Sequence, residues 1–152
     1  MYNLVNKAGI DASQYETVFD QYFPYTKDKL GYDKDFTVVL ASNPDNAKMF
    51  WAGTAHYNPS THEITVYIDG RHPKDILRSI SHELVHHAQN CRGEFDREMS
   101  TEEGYAQNDP HLSKMEDEAY LVGNRLLRDY EDGMKTKNER IFETLVKRFT
   151  RR

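Results

Sequence analysis

At 152 residues the chain is long enough for one domain with a proper core, and its 30% charged and 12% aromatic residues exclude a disordered polymer. A net charge of −5 excludes general nucleic-acid binding, which needs a basic face. The single cysteine, Cys91, excludes an internal disulfide and fits a reducing compartment; no signal-length apolar run opens the chain and no stretch reaches membrane-spanning length, so a cytoplasmic protein with no membrane partner is expected.

The expected architecture is a single α+β domain, taken in order from an N-terminal helical segment over 1–35. Asp11 or Ser13 caps a helix in which Tyr15, Val18, Phe19 and Tyr22 recur at helical spacing. Pro24 is expected to interrupt it, with a short turn running on to Leu30 and Gly31 as C-cap. A sheet follows over 36–70. Phe36–Leu40 reads as a strand from its β-branched content, and Ala47–Trp51 as one helical turn. Gly53–Tyr57 and Glu63–Ile68, joined across Asn58-Pro59-Ser60-Thr61-His62, read as a β-hairpin. Ile64, Val66 and Ile68 alternate, so one face of the second strand is buried.

A helix over 73–91 opens on Pro73, which suits a first helical turn. Leu77, Ile80, Leu84, Ala88 and Cys91 form its apolar stripe, with Asp75, Arg78, His82 and His86 roughly opposite. The segment 94–112 lacks periodicity and is read as a long loop, functional or mobile. Asp109-Pro110 starts a helix to about Asp132, with Gly133 beyond it. A last helix covers 136–150. Its basic end, Lys147 to Arg152, is read as a solvated helix terminus.

The chemistry is concentrated in His82-Glu83-Leu84-Val85-His86. Residues four apart lie on one helix face, so His82 and His86 can reach one metal ion together. Glu83 lies about 100° round the helix from His82, within reach of a water on that ion. Two imidazole ligands plus a glutamate general base are the pattern of a zinc metallopeptidase. Catalytic zinc takes a third protein ligand, and Glu116, Glu118 and His111 are the candidates. Glu116-x-x-Ala119 places a small residue one turn after a carboxylate, which lets two helices approach; the bland reading of Glu116 is a capping box with Ser113. His87 points away from the ligand face and is read as packed or solvated. His56, His62 and His72 are read as structural or exposed, with His56 able to line a cleft. Cys91 lies off the ligand face and is read as a small core residue.

With Glu116-x-x-Ala119 following it, His82-Glu83-x-x-His86 resembles the gluzincin metallopeptidases, especially their minimal single-domain members. The resemblance spans roughly Phe36 to Tyr130. It implies a zincin-like fold, a small and mostly antiparallel sheet packed on the His-Glu-x-x-His helix, and a second helix bearing a carboxylate. It implies one zinc per chain on His82, His86 and Glu116, Glu83 as general base, and a polypeptide substrate. Relatives often carry aspartate after the alanine, where this chain has Tyr120, so Glu118 stays open as the third ligand. SprT-type proteases use a histidine, which keeps His111 open. Tyr105, His111 and Tyr120 are candidate oxyanion donors. The run from His82 to Asn124 is also similar to small metallopeptidase-like proteins of phages. The alternative is therefore a zincin-fold regulatory or phage structural protein with little turnover; the presence of Glu83 favours catalysis, since a structural site needs no general base.

Overall fold

Two apolar patterns, one alternating and one at helical spacing, meet on a single sheet face. In the computed structural model, residues 2–43, 54–94 and 110–137 are described, and they form four strands and three helices. Strand β1 (Tyr2–Asn6) leads to helix α1 (Ser13–Leu30) and strand β2 (Phe36–Ala41). Strands β3 (Ala55–Asn58) and β4 (Glu63–Tyr67) precede helices α2 (Pro73–Cys91) and α3 (Pro110–Lys137). The fold is α+β with a mixed sheet of order β1-β2-β4-β3.

The expected mostly antiparallel sheet is corrected here. β1 pairs with β2 and β2 with β4 in parallel, and only β3 and β4 are antiparallel. The cause is connectivity. β1 and β2 are separated by the whole of α1, and a crossover helix returns the chain in the same direction, which a tight hairpin cannot do. The N-terminal segment is likewise not wholly helical, since Tyr2–Asn6 is a strand. The hairpin is as expected. Asn58 organises its turn, with its side-chain oxygen accepting from Ser60 N at 2.9 Å and its carbonyl from His62 N at 2.8 Å.

α1 runs unbroken through Pro24, against the expected interruption. Proline inside a helix costs about 3 kcal/mol. Here it is exposed, while Tyr22, Phe23 and Thr26 beside it are buried. Each large apolar side chain contributes roughly 1.5–3 kcal/mol on burial, so the packed face outweighs one lost bond. Gly31 then ends the helix in the left-handed conformation, φ 74°, donating its N–H to the Lys27 carbonyl.

Val38, Leu40, Ile64 and Val66 present one sheet face to Tyr15, Phe19, Tyr22, Ile76, Leu77, Ile80 and Leu84. Ile76 joins the predicted α2 stripe. The Tyr22 hydroxyl reaches Ser81 Oγ, which in turn donates to the Leu77 carbonyl at 2.8 Å. α1 is thereby fixed to α2 at the residue before His82. α3 packs along α2 and continues past Gly133 to Lys137 rather than ending at Asp132. The predicted turn at 47–51, Tyr105 with most of the 94–112 loop, and the predicted last helix from residue 138 onward lie outside the described residues. Among the described residues no helix is long and apolar enough to cross a membrane.

Candidate metal centre

α2 begins where its sequence dictates. His72 caps it, its ring nitrogen accepting from Lys74 N at 3.1 Å, and Pro73 fills the first position. Nineteen helical residues then carry His82 and His86 on the face turned to α3. Their rings sit 5.0 Å apart, centroid to centroid.

α3 supplies the third group. Glu116 Oε1 lies 2.6 Å from His86 Nε2, and Oε2 lies 3.7 Å from His82 Nε2. One ligand atom from each of the three residues falls within 4.8 Å of the other two. The close approach of the helices has a visible cause. Ala119 is fully buried one turn after Glu116, and at Gly123 an added Cβ would stand 3.0 Å from His82 Cα and 3.1 Å from His82 N. Glu116, Ala119 and Gly123 thus form the seam on which α3 meets the backbone of a candidate ligand.

The electrostatics follow from this convergence. The His82 and His86 imidazoles hold the Glu116 carboxyl far below the usual carboxylate range. Burial lowers the proton affinity of His86, but contacts with Glu116, Glu83 and Gln89 outweigh it and leave His86 raised. Glu83, only 7% exposed, is pushed up by burial, partly offset by the charges of His86 and His82.

The donor set fits a catalytic zinc ion: two imidazole nitrogens and one carboxylate oxygen, with a fourth position left for water. Around a tetrahedral ion such ligand atoms stand about 3.4 Å apart. The His82–Glu116 separation is near that value already. The His86–Glu116 separation, 2.6 Å, is shorter.

The other sequence candidates are placed elsewhere. Glu118 Oε1 accepts from Gln89 Nε2 at 2.8 Å and from Arg92 at 2.7 Å, on the flank of the seam. His111 Nε2 lies 3.1 Å from the Glu94 carbonyl, outside the three-residue group. Tyr120 is largely exposed, with its ring 4.4 Å from that of His82, so it packs on a candidate ligand at the rim. His87 is fully buried. Its Nε2 donates to the Lys34 carbonyl and its Nδ1 accepts from Tyr57 Oη, both at 2.8 Å. Burial first of all keeps it neutral. Cys91 is part-exposed beside it, with Sγ 3.9 Å from His87 Nε2. His56 is exposed on the hairpin and rests against Tyr67.

Comparison with protein-family models, with curated proteins and with solved structures gave no match to any of them. The chemistry of the site is therefore read from its own residues. Two of these escaped the sequence. Gln89 accepts from or donates to His86, Met115 and Glu118, and its position three after His86, on the same face, was the available signal. Gly123 was visible as a small residue four after Ala119, yet nothing local tells which backbone it meets.

Proposed function

We propose that the chain is a zinc-dependent peptidase of the gluzincin kind. The observation that carries this reading is the meeting of His82, His86 and Glu116 from two helices, with Glu83 buried beside them. Zinc held there would supply Lewis-acid polarisation of a scissile carbonyl and acidify a water molecule. Glu83, buried beside the group, would be the base that takes a proton from the attacking water. The same carboxyl then gives the proton to the leaving amine as the C–N bond breaks. His82, His86 and Glu116 would hold the ion. Tyr120 packs its ring at a steep angle against that of His82, 4.4 Å away, at the rim of the site. The substrate is a polypeptide, and the compartment is a reducing one in which a lone thiol is stable.

The decisive experiment compares wild type with Glu83→Gln. Metal analysis of the purified proteins is expected to give one zinc per chain in both. Cleavage of casein and of a mixed peptide library is expected for wild type alone. Cleavage by Glu83→Gln at the wild-type rate would remove Glu83 as the base. A wild-type chain without zinc after incubation with it would remove the enzyme reading altogether.

A further inference from the structure

A buried polar chain leads away from the candidate ligand His86. His86 Nδ1 lies 2.8 Å from Gln89 Oε1. The Gln89 amide nitrogen donates to the Met115 carbonyl at 2.9 Å and to Glu118 Oε1 at 2.8 Å. Gln89 is fully buried. The Met115 carbonyl can only accept, so the atom facing it is the amide nitrogen. The amide is thus held one way round, nitrogen toward α3 and oxygen toward His86. An amide oxygen cannot donate, so Nδ1 carries the proton and the lone pair of the neutral ring is left on Nε2. Nε2 is the atom that faces Glu116.

We infer that Gln89 is a positioning residue of the metal centre, presetting the tautomer and ring plane of His86 so that Nε2 is ready for the ion. The inference rests on the proposed metal site. Groups that hold the far nitrogen of a ligand imidazole typically change metal affinity 10- to 100-fold when removed. The competing role is structural: Gln89 ties α2 to α3 through Met115. The two roles use different atoms, the oxygen for His86 and the nitrogen for α3, and substitutions separate them. Gln89→Glu keeps the acceptor for His86, loses the donors to α3 and sets a second carboxylate against Glu118. Gln89→Leu loses both.

The test measures zinc affinity by competition with a chromophoric chelator, the visible spectrum of the cobalt-loaded protein, and the thermal midpoint of each metal-free protein. Gln89→Leu is expected to bind zinc about 10- to 100-fold more weakly and to alter the cobalt spectrum. Gln89→Glu is expected to hold zinc within about threefold of wild type, or more tightly, while its thermal midpoint falls. Affinity and stability that part company in Gln89→Glu mark positioning. Equal loss of zinc in both variants, in step with stability, would make Gln89 a structural tie and overturn the inference. Unchanged zinc binding in Gln89→Leu would do the same. Should Gln89→Leu fail to fold, Gln89→Met, unbranched and of similar length, takes its place with the same expected loss. A wild-type chain that binds neither zinc nor cobalt overturns the site itself and the inference with it.

Discussion

The seam between α2 and α3 offers the sharpest test of how the fold positions the site. Gly123→Ala adds one methyl group facing His82 Cα at 3.0 Å, His82 N at 3.1 Å and the Ser81 carbonyl carbon at 3.3 Å. All three are backbone atoms, so no side chain can rotate away, and the helices must part by a few tenths of an ångström. Alanine gains about 1 kcal/mol over glycine in a helix interior. Overpacking costs about 1–3 kcal/mol. The net loss is therefore only about 0–2 kcal/mol, and for a chain of this size the thermal midpoint falls by roughly 8 °C at most. The candidate metal centre has less tolerance. Productive constellations need their groups within about 0.5 Å of position, and the forced movement is at the backbone of His82 itself. Zinc affinity is expected to fall about 10-fold or more, out of proportion to the loss of stability. Chelator competition and thermal melts on the same preparations decide it. Wild-type zinc affinity together with a gain of about 1 kcal/mol would show that propensity alone governs Gly123 and that the seam does not set the ligand geometry.

Glu116→Ala should lose the zinc of the purified protein, whereas Glu118→Ala should keep one ion per chain with weaker binding; metal analysis of the two that came out reversed would name Glu118 as the ligand. Contacts with Glu116, Glu83 and Gln89 outweigh burial and raise the proton affinity of His86, so zinc and protons compete for its ring. Zinc affinity should accordingly fall as pH drops, and calorimetry in two buffers of different ionisation enthalpy should register proton release; its absence at pH 6.5 contradicts the assignment. At the alkaline end, burial pushes the Tyr32 hydroxyl up to about 12 against an unfolded value near 10. A raised folded pKa gives stability that is whole below pH 10 and is lost as pH rises through 12, here about 2–3 kcal/mol. Circular dichroism through that window should show unfolding earlier in wild type than in Tyr32→Phe, and coincident curves would assign the transition to other groups.

The parts legible in the sequence were those written as local periodicity. α2 begins at Pro73 as its cap and proline announce, and the hairpin follows from alternating Ile64 and Val66 around Asn58-Pro59. The parts that were not legible depend on partners distant in sequence. Tyr2–Asn6 is only five residues long and does not alternate cleanly, and it is a strand because Leu4 stands in register with Val38 and packs toward the core. Strand direction is set by the crossover through α1, which no window within a strand records. Pro24 was misread for the same reason: a local rule worth about 3 kcal/mol was set against burial that only the tertiary fold supplies.

The choice between Glu116 and Glu118 shows where such reasoning reaches its limit and what resolves it. Both carboxylates precede Ala119 within a turn, and composition treats them alike. Helical geometry does not: two residues along is about 200° round, so one faces the partner helix when the other does not. Which one faces α2 is set by the line on which α3 approaches. Gly123 marks that line, because an added Cβ there would stand 3.0 Å from His82 Cα. Counting back seven residues, about two turns, brings Glu116 onto the same line, with Ala119 between them. Glu118 then falls on the flank, where Arg92 and the Gln89 amide receive it. The third candidate ligand is thus selected by a glycine two turns away, through the packing it permits rather than through any contact of its own with the site.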